Sequence, residues 1–224
     1  MRSVFTLIIS VLLPLAVLAA PRETTTVLAP GGPRSPDDIH LVPDSGSLLH
    51  VGDAVHILDD NGNTIKHITL EAPSPLLESR ALKTGWITYA SWFNQNASPI
   101  KNYTASWTVP PVPKTEHGQT VFLFTAIEPG AGGWILQPVL QYGPSSAGGG
   151  PYWSVSSWYL AGKSVFHTAP VRVSAGKSLT GAMTLTGVSG AKYSYKSRFT
   201  NVDGTTLTVN NATQLVLKEE GENQ

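Results

Sequence analysis

Two glutamines lie four residues apart in the run Ile135-Leu136-Gln137-Pro138-Val139-Leu140-Gln141-Tyr142. In an extended strand the side chains alternate, so Ile135, Gln137, Val139 and Gln141 share one face while Trp134, Leu136, Leu140 and Tyr142 share the other. Two uncharged amides on one sheet face can hold a polar ligand, or they can be half-buried strand amides bonded to their neighbours. Few other residues stand at spacings that suggest chemistry. There is no GxSxG elbow, no HExxH pair, no phosphate-binding glycine loop and no His cluster at metal spacing. The six histidines, His40, His50, His56, His67, His117 and His167, are scattered and read as surface or hairpin residues. A Ser-His-Asp triad is neither favoured nor ruled out. The chain has no cysteine, which removes thiol nucleophiles and thiolate metal sites.

The elements that must carry these residues are strands. From Thr84 onward short apolar runs alternate with turn clusters, and no window shows a helical period, which predicts an all-β sandwich or barrel. Leu179, Met183 and Leu185 oppose Thr180, Thr184 and Thr186, and Val121, Leu123 and Ile127 interleave with Phe122 and Phe124. A strand over 102–109 should stop at Pro110, Pro111 and Pro113, and Ser145 to Gly150 forms a glycine-rich loop that either carries function or closes a hairpin. Upstream, Val51 to Leu58 and Thr64 to Leu70 flank Asp59-Asp60-Asn61-Gly62 and predict a β-hairpin. The stretch 21–43 is rich in Pro, Thr, Ser and Gly and reads as a leader or linker outside the core. Residues 71–82, with a lone Arg80, read as a second linker and a candidate processing point. The expected division is thus a signal peptide over 1–20, a leader with a hairpin and a possible pro-segment over 21–83, and a β-sandwich over 84–224.

The signal peptide rests on Arg2, an apolar run from Leu7 to Leu18 and the small-residue pattern Val17-Leu18-Ala19. That run is shorter than the roughly 20 residues of a membrane-spanning helix, so the mature chain is expected to be secreted and free of the membrane. Sequons at Asn96, Asn102 and Asn211 are compatible with N-glycosylation. The formal net charge is +0, which leaves no basic footprint for nucleic acid and points to a neutral partner, a peptide or a glycan. No cofactor is expected, and the chain is read as a monomer.

Four segments in order, Trp107-Thr108-Val109-Pro110, Phe124 to Glu128, Ile135 to Tyr142, and Tyr152-Trp153 through Trp158-Tyr159, resemble the eqolisins. These glutamic peptidases are secreted acid peptidases known mainly from fungi, and the resemblance spans roughly residues 86 to 219. It implies a concanavalin A-like antiparallel β-sandwich with the site on its concave sheet. It also implies that Gln137 is the catalytic glutamine, whose amide donates to the tetrahedral intermediate while a glutamate activates water. Trp107, Gln141, Trp153, Trp158 and Tyr159 would line the substrate cleft, and Glu128 matches an acidic cleft position. The family's catalytic glutamate would come from the last strand, where Asn211-Ala212-Thr213-Gln214-Leu215-Val216-Leu217 places Gln214 at the matching position. A glutamine cannot titrate, so the carboxylate must come from Glu219, Glu220 or Glu128. Ser157 stands where the family carries an acidic residue. A secreted acid endopeptidase is therefore one expectation, and a non-catalytic module that binds glycan or peptide on an aromatic face is the other.

Overall fold

The computed structural model describes residues 25–71, 87–88, 90–96, 98–129 and 132–212. The expected signal peptide, Arg80, Gln214, Glu219 and Glu220 lie outside them. The described chain is all-β, with one 3-10 turn at Pro36–Asp38 and no α-helix. One mixed sheet is built from β3 (Ile39–Leu41), β11 (Ser164–His167), β10 (Gly148–Ala161), β9 (Trp134–Ser145) and β8 (Val121–Phe124), in that order, with β12 (Val171–Arg172) paired to β10. The other runs β6 (Thr64–Thr69), β5 (Ala54–Leu58), β4 (Ser47–Val51), β15 (Leu207–Ala212), β14 (Lys192–Phe199), β13 (Ser178–Ser189) and β7 (Asn102–Thr108). A separate pair, β1 (Val27–Ala29) and β2 (Gly32–Arg34), forms a short hairpin.

The two large sheets close on each other because each presents one apolar face. Leu136, Tyr159 and Phe166 of the first meet Leu48, Ile57, Met183, Tyr195 and Val209 of the second. Further along, Leu140, Tyr142, Trp153 and Val155 meet Leu179 and Phe199. The alternation read in β13 is observed, with Leu179 and Met183 buried and Thr184 exposed.

The predicted hairpin forms as β5 and β6, and its turn is tied by Asp59, whose Oδ1 accepts from the backbone N–H of Asn61 (3.0 Å) and Asn63 (2.7 Å). The sandwich starts earlier than residue 84, however. Residues of the supposed leader enter both sheets: β3 runs parallel to β11, and β4 runs parallel to β15. Val42, Leu48, Val55 and Ile57 are core residues. The reason is area: a sheet edge left bare exposes unpaired backbone groups, and β3 to β6 cover such edges while adding apolar side chains. The loop at Ser145 to Gly150 closes the β9–β10 hairpin.

Candidate functional site

The first sheet has a second face, turned away from the core between the sheets, and cross-strand pairing lays its residues out in rows. One row runs Leu41, His167, Trp158 and Gln137 across β3, β11, β10 and β9. On one side of it lies Ile39, Val165, Leu160 and Ile135; on the other lie Ser156, Val139 and Phe124, followed by Ser154, Gln141 and Phe122. The expected alternation of β9 therefore holds, with Ile135 and Val139 packing on this face and Leu136 and Leu140 in the core between the sheets.

Gln137 is 1% exposed, and among the described residues nothing pairs with Nε2 or Oε1 of its amide. A buried amide without partners costs about 1–3 kcal/mol, so its presence in the fold calls for an explanation. Ser154 Oγ, on the same face, is also buried and unpartnered. Trp158 lies fully buried beside Gln137, its indole N–H donating to Ser156 Oγ (2.7 Å), with its ring 5.0 Å from that of His167. His167 Nδ1 is 3.0 Å from the Thr168 carbonyl oxygen, so Nδ1 carries the proton and Nε2 keeps a lone pair. Burial pushes the His167 pKa below its ordinary value, which keeps the ring neutral.

Glu128 reaches this face through a single bridge. Ile127 exchanges two backbone hydrogen bonds with Leu136, each 3.0 Å, and packs into the core between the sheets. By the alternation of an extended chain the next residue, Glu128, falls on the opposite side, toward the face that carries Ile135 and Gln137. Diagonal cross-strand neighbours lie roughly 7–8 Å apart, within reach of long side chains. The Glu128 residue is exposed, yet partial burial of its carboxyl raises the pKa above the ordinary value.

The other residues expected to form the site do not all come here. Trp153 and Tyr159 are odd-numbered on a strand whose even members face Gln137, so both point into the core between the sheets. Trp153 stacks edge-on with Tyr142 at 5.3 Å, and the Tyr159 hydroxyl meets His50 Nε2 at 2.9 Å. Trp107 packs against the same interior beside Phe199. These three residues are therefore reassigned from cleft wall to core. Gln141 shares the Gln137 face, but its amide is consumed locally. Its Nε2 donates to the Gly143 and Gly148 carbonyl oxygens (2.7 and 2.9 Å), and its Oε1 accepts from Ser145 Oγ (2.8 Å). A Cβ on Gly149 would lie 2.5 Å from that Nε2, which is why the tip needs glycine. Gln141 thus holds the hairpin tip rather than a substrate. Gln141→Leu is expected to destabilise the fold by about 1–3 kcal/mol, by removing three hydrogen bonds that tie the hairpin tip, and urea unfolding monitored by tryptophan fluorescence would measure it.

Of the sequons, Asn96 and Asn102 are exposed, whereas Asn211 is half-buried at a φ of 58° in β15. No helix among the described residues is long and apolar enough to cross a membrane. Sequence reasoning grouped His167 with the scattered histidines, because its place beside Trp158 depends on a pairing that local sequence does not reveal. Compared with models of protein families, with curated proteins and with solved structures, the chain matches none.

Proposed function

We propose that this chain is a secreted, eqolisin-like glutamic endopeptidase of concanavalin A-like fold, with Gln137 as amide donor and Glu128 as general base. The observation that carries the reading is the Gln137 amide, buried without a partner among the described residues, on the sheet face toward which alternation from the Ile127–Leu136 bridge turns Glu128. Ionised Glu128 takes a proton from a water, whose oxygen adds to the scissile carbonyl carbon. The Gln137 amide N–H donates to the oxyanion that forms. Collapse breaks the C–N bond, and the proton held by Glu128 passes to the leaving amine. An amide suits the donor role because it bears no charge and does not compete for that proton.

Cleavage of denatured casein from pH 2 to pH 7 tests this. The raised Glu128 pKa sets the sign of the profile: the base is lost on protonation, so activity falls toward low pH, with its acid limb above the ordinary carboxylate value. Glu128→Gln is expected to lower kcat by roughly 10²–10⁴-fold. Full activity in that variant removes Glu128 from the mechanism, and no cleavage by any form at any pH removes the peptidase reading.

A catalytically silent peptide-binding module is the second reading, favoured by the burial of the Gln137 amide, which is 1% exposed. A sugar-stacking version is less well supported, since Trp158 is 0% exposed and offers no open ring face.

A further inference from the structure

The Gln137 face is already occupied. Among the described residues, the element lying on it is the β1–β2 hairpin, Val27–Ala29 and Gly32–Arg34. Ala29, 1% exposed, packs into one cluster with Val139, Trp158, Leu160 and Val165, and Pro30 beside it is also buried. The hairpin is held as a peptide ligand is held: the Ser146 backbone N–H, at the tip of β9–β10, donates to the Leu28 carbonyl oxygen at 2.7 Å. Its reversal is a two-residue turn of Pro30 and Gly31, with Gly31 at φ +88°. That conformation is the one a turn with proline first and glycine second requires.

The fit is tight but not self-sufficient. Arg34 Nε is buried under the hairpin without a partner, and Gln137 below gains no hydrogen bond from it. Neither sheet pairs with the hairpin through a strand ladder, in contrast to β3, β4, β5 and β6, which are stitched into the sheets. It lies on the face as a separate two-stranded unit.

We infer that the β1–β2 hairpin is a resident peptide ligand of the Gln137 face, and that it reports what this cleft accepts: an extended peptide seating a small aliphatic side chain between Val139, Trp158, Leu160 and Val165. The inference rests on the peptide-cleft reading above and adds its specificity and its occupancy. A large side chain in place of Ala29, itself 1% exposed, meets the buried Trp158 and Leu160, so substrates with bulky residues at that position are excluded. While the hairpin is seated, a peptide in solution competes with a segment of the same chain, whose effective concentration is of millimolar order.

The test uses the full chain and a fluorescein-labelled synthetic peptide with the sequence of residues 25–34, followed by anisotropy at neutral pH. Wild type, with its cleft filled in cis, is expected to bind the peptide weakly. Ala29→Glu, which puts a charge in the apolar seat, and Gly31→Val, which puts a β-branched residue at φ +88° and a Cβ 3.1 Å from Leu160 Cδ2 and so unseats the turn, are each expected to bind it roughly tenfold or more tightly. The peptide with Ala29→Trp should not bind either variant. Equal binding to wild type and both variants, or binding to none of the three, overturns the inference. Tight binding of the Trp peptide overturns the small-residue seat. Because Gly31→Val adds no buried charge, a folded Gly31→Val chain keeps the test decisive if Ala29→Glu fails to fold. Casein cleavage is measured separately in both variants, so that a covered cleft is not mistaken for an inactive one. Peptide binding without cleavage supports the resident ligand and removes the peptidase reading; cleavage with unchanged peptide binding does the reverse.

Discussion

Gln137→Met is expected to unfold at a higher temperature than the wild-type chain and to lose roughly 10²–10³-fold in kcat on casein. The two effects share one cause. The wild-type amide is 1% exposed and finds no partner among the described residues, so folding strips its water without a hydrogen bond in return. Methionine fills a similar volume without polar atoms and removes that penalty, a gain of about 1–3 kcal/mol. For a chain of this size each kcal/mol is worth roughly 2–4 °C in Tm. Gln141→Leu, two positions further along the same face, goes the other way, because its amide is paired. Opposite signs at two glutamines of one strand separate a residue kept for function from one kept for structure. A calorimetric Tm for Gln137→Met at or below that of wild type contradicts the account.

The second large effect is on acid stability. His40 and His50 are buried, and desolvation lowers both pKa values to about 4 from an ordinary 6.5. Lys66, with Nζ 3.1 Å from His40 Nδ1, and His167 add to the His40 shift. A depressed folded-state value means that the neutral ring is favoured in the native state. The stability this represents is fully present above pH 6.5 and is lost as pH falls through about 4. For His50 the loss is about 3 kcal/mol. For His40 it is about 1–2 kcal/mol, discounted because Lys66 is solvent-exposed and screened. Urea unfolding at pH 7 and pH 4 should show a drop of this size, and His50→Gln should remove the His50 share of the slope. A wild-type stability unchanged between these pH values would falsify the assignment.

Much of the fold was legible where pattern and neighbour are local. The alternation in 134–142 gave the Gln137 face, and the Asp-Asp-Asn-Gly turn gave the β5–β6 hairpin. The entry of residues 39–51 into both sheets was not legible, because β3 pairs with β11 and β4 with β15, partners far along the chain whose register no local period encodes. A stretch rich in Pro, Ser and Gly can still form an edge strand of three residues, as β3 does, and β4 lies inside its sheet between β5 and β15. The site was half legible. Parity on β10 separates Trp158 from Trp153 and Tyr159, so the reassignment of those two follows from a signal already present in 153–159. The places of Glu128 and His167 needed the β8–β9 and β10–β11 registers.

The parallel pairing of β4 with β15 also bears on how the chain reaches this structure. Ser47 sits beside Thr208, so the seven-stranded sheet is continuous only when nearly the whole chain is in place. Contacts of such separation require a large loop to close before they return any free energy, which places this topology among slow folders. Until β15 arrives, β4, β5 and β6 form a hairpin unit with an open edge and an apolar face exposed to water. During synthesis that unit must wait for the last strand before the sheet can close.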